Sequence, residues 1–138
     1  MRIDTVVFDM GGVLVDFSAE LFSKRLNIGA EGRELLLRGL LHTADWVRLD
    51  RGTITEEEVY AHACARLPKE LHAAADYIIY HWNEPIAPIA GTAEVVRELK
   101  ARGCTLYLLS NAAHRQHEYW HDLPGSECFS GTLISADV

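Results

Sequence analysis

Two apolar runs that each end on polar residues constrain this chain more than any other feature. The first, Ile3 to Phe8, gives way to Asp9 and then to Gly11 and Gly12; the second, in CTLYLLS, ends at Ser110 and Asn111. Both are rich in β-branched, aromatic or leucine residues and continuous enough to predict strands buried on both faces. Between them the period changes to that of helices. Leu21, Phe22 and Leu26 form one apolar face from Ser18 onward, and Leu35, Leu36, Gly39 and Leu40 form another. Thr55 followed by Glu56, Glu57 and Glu58 predicts a helix start, with a hydroxyl cap and acids at the positive end of the dipole. That helix runs through Val59, His62, Ala63 and Arg66 to Pro68, and the next begins near Lys69 and carries Ala74, Tyr77, Ile78 and His81.

EPIAPIAG, Glu84 to Gly91, carries two prolines and a glycine and reads as a linker. Thr92 is the expected cap of a helix through Val95, Val96 and Leu99 that Gly103 ends. NAAHRQHEYWHDL reads as helix from Asn111, and GTLIS as a third short strand. Strand, helical insert, helix, strand, helix, strand is the order of an α/β fold with a parallel sheet. We expect a Rossmann-like, three-layer core from residues 1–16 and 89–138, with an α-helical cap inserted at 17–88.

Composition narrows the classes open to such a fold. Of 138 residues, 49% are hydrophobic and 24% charged, the balance of a globular protein rather than a disordered one. The formal net charge of −7 disfavours general attraction to nucleic acid or to an anionic membrane. Cys64, Cys104 and Cys128 show no C-x-x-C spacing, which points to a reducing compartment and to small buried hydrophobes rather than a disulfide framework or zinc site. No signal-peptide pattern opens the chain, and no segment approaches the roughly 18 apolar residues of a membrane span. A cytoplasmic location is expected.

Ligands of an open parallel sheet bind beyond the carboxyl ends of its strands. Asp9 stands at one such end, followed by glycines that let backbone amides approach a ligand closely. Ser110 and Asn111 stand at the other, where a helix opening directly would offer its N-terminal amides to an anion. A carboxylate beside an anion cradle suits phosphoryl transfer through an aspartyl-phosphate, with a cation such as Mg²⁺ between the two negative groups.

VVFDMGGVLVDF and LYLLSNAAHRQHEYW resemble the first and second motifs of the haloacid dehalogenase superfamily, above all its phosphatase branch with a helical cap, which includes sugar-phosphate phosphatases. The similarity extends through PIAGTAEVVRELKARG to FSGTLISADV. The resemblance implies Mg²⁺-dependent hydrolysis of a small phosphate monoester, such as a sugar phosphate. It implies Asp9 as nucleophile and Mg²⁺ ligand, the Gly11 backbone carbonyl as second ligand, and Ser110 with Asn111 as phosphate cradle. Two departures accompany it. The family's phosphatases carry a general acid and base two residues after the nucleophile, where this chain has Gly11; Asp16 is the nearest spare carboxylate and lies in the hinge toward the cap. The family also continues, past its third strand, to a lysine and an acidic pair, whereas this chain stops at Val138 and its lysines, Lys24, Lys69 and Lys100, follow no strand. The chain therefore reads as the N-terminal portion of a longer enzyme, a truncated form or a degraded reading frame.

The alternatives are halide displacement from a haloacid and a catalytically silent module that keeps only the fold. His117 and His121 stand at chelating spacing without an evident third ligand, so a solvated face is the better reading. Glu56 to Glu58 read as a solvated first turn and Ser110, taken alone, as an N-cap. The tryptophans read as packing residues, with Trp46 the one placed to face a substrate. The resemblance also places a further strand beside the first, so Ile3 to Phe8 is expected to be an unprotected edge. Homo-oligomerisation through that edge, or marginal stability with aggregation, is the expected result, together with weak or no phosphatase activity.

Overall fold

The computed structural model describes residues 3–138. Three parallel strands form one sheet: β1 (Thr5–Phe8), β2 (Thr105–Ser110) and β3 (Gly131–Ile134), in the order β1-β2-β3. Val6 lies beside Leu106 and Phe8 beside Leu108, while Ser110 lies beside Ile134. Both crossovers step the same way across the sheet, so right-handed connections put their helices on one face. Leu106, Leu108 and Ile134 are buried there. The sheet is thus a parallel α/β sheet with two layers among the described residues, not the three expected. Val7 (56% exposed), Leu109 (54%), Tyr107 and Leu133 make the other face an open apolar surface. A continuous apolar run marks a strand that can be buried on both sides; it does not supply the element that covers the second side.

The segment between β1 and β2 is helical among its described residues. It comprises α1 (Ala19–Arg25), α2 (Ala30–Leu36) continued by a π-helical turn (Leu37–Leu41), α3 (Ala44–Asp50), α4 (Glu56–Arg66) and α5 (His72–Tyr80). Side-chain oxygens start three of these: Ser18 accepts from the Leu21 amide, Thr43 from the Trp46 amide, and Thr55 with Glu58 forms a reciprocal capping box. Phe22, Leu40, Val59 and Ile78 are fully buried and join the sheet's covered face in one hydrophobic cluster. Asp45, also buried, takes hydrogen bonds from Arg66 and His62, tying α3 to α4. The Arg66 guanidinium beside it holds the Asp45 carboxyl below the usual range, with His62 assisting. At Gly39 the π-helical turn meets α4's end so closely that a Cβ would lie 2.6 Å from Leu67 Cδ2.

The two chain crossings between sheet and insert pair with each other: the Asp16 amide donates to Ala87 (2.7 Å) and the Ile89 amide to Leu14 (3.0 Å). The following helix, α6 (Thr92–Ala101), starts on Gly91 rather than on Thr92, whose hydroxyl donates back to the Ile89 carbonyl. After β2 comes a larger difference from expectation. Residues 111–115 are not helical; the helix α7 is only Gln116–Tyr119, followed by a 3₁₀ turn at Trp120–Asp122. The Ala112 amide bonds the Ser135 hydroxyl and Arg115 reaches Glu56, and these long-range partners hold the segment out of the helix its sequence permits. The cysteines are half-buried free thiols, not buried ones. No helix of the described residues is long and apolar enough to cross a membrane.

Candidate active site

Phe8 ends β1, and Asp9 projects at its carboxyl end as an exposed side chain whose Oδ1 accepts the Met10 amide at 2.7 Å. The next residues form a tight loop. The Met10 carbonyl accepts amides from Val13, Leu14 and Val15, while the Gly12 amide donates to Val15. Gly12 has φ +73°, a conformation that side-chain-bearing residues adopt only under strain, so the loop requires glycine at this point. Gly11 is exposed beside Asp9 with its backbone accessible.

Ser110, buried, ends β2, and exposed Asn111 follows it. Gly11, Ser110 and Asn111 line one cavity of about 170 Å³. The sheet order makes β1 and β2 neighbours, which is what brings the two motifs together across about a hundred residues. No helix starts at Asn111, so the anion-binding helix N-terminus expected there is absent, and Ser110 caps no helix. Any anion at this point would meet the Ser110 hydroxyl, the Asn111 amide and loop backbone.

The far wall of the cavity comes from the helical insert. Phe17, Trp46 and Trp82 are apolar walls, joined by Tyr119. Phe17 sits at the centre of an aromatic cluster, edge-on to Phe22 (5.0 Å between ring centroids) and to Trp82 (4.8 Å), with Trp46 at 5.9 Å. Trp46 therefore faces the cavity, while Trp120 packs in the core against Phe129.

Five polar residues of the cavity escaped the sequence reading. Glu56 is not a solvated first-turn acid. Arg115 donates to both its carboxylate oxygens, at 2.6 and 2.8 Å, with both side chains about three-quarters buried. The Glu56 carboxylate raises the Arg115 guanidinium still further, and Arg115 also lies over the Tyr80 ring at 5.6 Å. Asp50 ends α3 half-buried, and burial pushes its carboxyl up to about 7. Tyr119 is held above its ordinary range by burial and by the charge of Asp50. Gln116 is 1% exposed and its Oε1 has no hydrogen-bond partner. None of them carried a signal in the sequence, because packing between segments far apart in the chain is what turns them toward the cavity.

Other expectations fall away from the cavity. Asp9 itself stays exposed beside Gly11 and is not among the lining residues, and neither are Asp16 and the three lysines. His117 does not pair with His121: α7 ends at Tyr119, and His117 instead contacts Asp137 at 3.0 Å, with His114 on the same carboxylate at 3.4 Å. Among the described residues no group of three His, Cys, Asp or Glu side chains is arranged to hold a metal ion.

The family model for haloacid dehalogenase-like hydrolases matches residues 3–138. The chain belongs to that family. No curated protein sequence matches the chain. Among solved structures, a dehalogenase superposes with a TM-score of 0.67 at 17% identity, over 98% of this chain and 63% of its own length. The HAD-hydrolase YfnB from Bacillus subtilis, solved bound to magnesium, gives 0.62 at 21% identity, over 99% and 67%. A HAD family enzyme from Bacteroides thetaiotaomicron, in complex with magnesium and inorganic phosphate, gives 0.58 at 19% identity, over 99% and 70%. At these identities the likeness is one of fold, and this chain spans 63% of the length of the first of them.

Proposed function

We propose that this hydrolase acts on a small phosphorylated metabolite, cleaving a phosphate monoester through an aspartyl-phosphate on Asp9, with residues 17–88 as the cap over a core of 1–16 and 89–138. One observation supports the reading most: Gly11, beside the Asp9 carboxylate, shares a cavity with Ser110 and Asn111 at adjacent strand ends. In that reading Asp9 attacks phosphorus, and the Ser110 hydroxyl and Asn111 amide donate to the phosphoryl oxygens. The aromatic wall of Phe17, Trp46 and Trp82 excludes water and takes the organic part of a substrate small enough for 170 Å³.

Mg²⁺ would be held by the Asp9 carboxylate and the Gly11 carbonyl, and would neutralise charge between nucleophile and phosphate. Magnesium is content with one or two carboxylates plus substrate phosphate and water. A single exposed carboxylate beside an accessible carbonyl fits an ion that arrives with the phosphate, and suits it better than a preformed cage. Halide displacement from a haloacid has less support. It calls for a cation to hold the substrate carboxylate, and the one arginine lining the cavity, Arg115, is already committed to Glu56 through both oxygens.

The test is a single-turnover assay with protein in excess over p-nitrophenyl phosphate, with and without Mg²⁺, followed by borohydride trapping of acyl-phosphate. Phosphate release that needs Mg²⁺, vanishes in Asp9→Asn and leaves its trapped label on Asp9 is the expected result. Release that survives Asp9→Asn eliminates the mechanism.

A further inference from the structure

Asp50 lines the same cavity as Gly11, Ser110 and Asn111, yet it comes from the helical insert. Its position is set by an unusual junction. The Ser135 hydroxyl accepts the Ala112 amide at 3.1 Å and donates to the Asp50 carbonyl. One hydroxyl thus ties the end of α3 to the chain just beyond β2 and to the residue just beyond β3. The carboxyl itself makes no hydrogen bond or ion pair among the described residues, although it is half-buried beside Trp46, Leu49 and Tyr119.

Among the described residues no cation on the elements packed against α3 pairs with the Asp50 carboxyl; His62 and Arg66 of α4 are held by Asp45, and Glu57 of α4 adds only a like charge. Glu56 of α4 is held by Arg115, Arg38 of the π-helical turn by Glu34, and Asp137, just beyond β3, by His114 and His117. On α3 itself, Arg48 contacts Asp45. Tyr119 of α7 is the remaining titratable neighbour, and its phenol stays protonated. Nothing neutralises Asp50, so burial favours its protonated form up to about 7.

We propose that Asp50 is the proton donor to the leaving-group oxygen, an inference that rests on the phosphatase reading above. In-line transfer places the leaving oxygen opposite the attacking Asp9, away from the strand end and toward the insert that carries Asp50. As the Asp9 oxygen bonds to phosphorus, the ester P–O bond breaks with its electron pair on the departing oxygen. The Asp50 proton moves to that oxygen, and a neutral alcohol leaves. In the return step water attacks phosphorus, the Asp50 carboxylate takes one of its protons, and the P–O bond to Asp9 breaks to regenerate the Asp9 carboxylate and release inorganic phosphate. Gly11 has no side chain that could carry either proton.

A proton donor matters most for a poor leaving group, which gives the role a signature that a structural residue lacks. In single-turnover assays, Asp50→Asn should slow a primary alkyl phosphate by about 10²–10⁴-fold while slowing p-nitrophenyl phosphate by less than about 10-fold. The alkyl ester should also lose the alkaline fall in rate expected of the wild type near pH 7. Carbon-13 NMR of aspartate-labelled protein should show one carboxyl titrating near 7 that disappears in Asp50→Asn, and Asp50→Glu should recover part of the alkyl-ester rate. Equal slowing of both esters, a retained alkaline limb, or the absence of that carboxyl from the wild type overturns the assignment of Asp50 alone. Wild-type protein inert toward both esters, or activity that survives Asp9→Asn, overturns the phosphatase reading and this inference with it.

Discussion

The Glu56–Arg115 pair joins the helical insert to the segment after β2 across 59 residues of sequence, and its strength can be worked from its geometry. Two charge-assisted hydrogen bonds of 2.6 and 2.8 Å form a bidentate fork, with Arg115 24% and Glu56 22% exposed. A fully exposed pair contributes about 0.2–1 kcal/mol, while breaking a fully buried one costs about 3–5 kcal/mol. Partial exposure here argues for the interval between, a coupling of about 1.5–3 kcal/mol. Arg115→Ala should cost more than Glu56→Gln, because Arg115 also gives up its position over Tyr80, worth about 0.5–1 kcal/mol. Urea unfolding of the wild type, both single variants and the double variant supplies the cycle. A coupling energy below about 0.5 kcal/mol would show that the fork behaves as a surface pair and that the cavity wall does not depend on it.

Four further outcomes follow from the same structure. Asp50 has a folded value near 7 against 3.8 ordinarily, so its ionisation opposes folding: stability is fullest below about pH 4 and falls as pH rises toward 7. Asp50→Asn should remove that fall and, after discounting for solvent, exceed the wild type by about 2 kcal/mol at pH 8 in urea titrations while matching it near pH 4; equal stabilities at pH 8 would refute the burial argument. Asp45 has the opposite sign, since its carboxyl is held low by Arg66 and its contribution is present above 3.8 and lost as pH falls through the lowered folded value. Asp45→Ala should therefore cost about 1–3 kcal/mol at neutral pH and nothing comparable in acid. Gly39→Ala should cost about 1–3 kcal/mol by thermal unfolding, despite alanine's better helix propensity, because Leu67 must move from 2.6 Å; a neutral effect would mean the core yields there. Finally, β1 is an edge strand beside an open apolar face, so light scattering should find self-association that Val7→Lys reduces, and a monodisperse monomer would contradict it.

What was legible in the sequence was local. The strands could be read from their apolar runs, the start of α4 from Thr55 and Glu58, and the two polar strand ends from Asp9 and Ser110. What was not legible depended on partners far away in the chain. Residues 111–115 contain no helix breaker, and only Ser135 and Glu56, met in three dimensions, draw them into a loop. Glu56 sits in a run of three glutamates that looks solvated, and Asp50 lies in a polar stretch between Arg48 and Arg51. Both become cavity residues because the helical insert folds back over the strand ends. The single-sided burial of the sheet was equally hidden, since a run such as TLYLLS is as apolar on the face that stays wet as on the face that is covered.

That wet face also bears on how the protein responds to heat. Unfolding changes heat capacity in proportion to the apolar area newly given to water, and Val7, Tyr107, Leu109 and Leu133 have little left to give. A chain of 138 residues with an ordinary interior would show about 1.7–2.1 kcal/mol/K on unfolding. This one should fall below that range, with a correspondingly shallow denaturant slope. Its stability should then change little between cold and warm conditions, a flat dome whose modest height, rather than its curvature, limits the temperatures at which the fold survives.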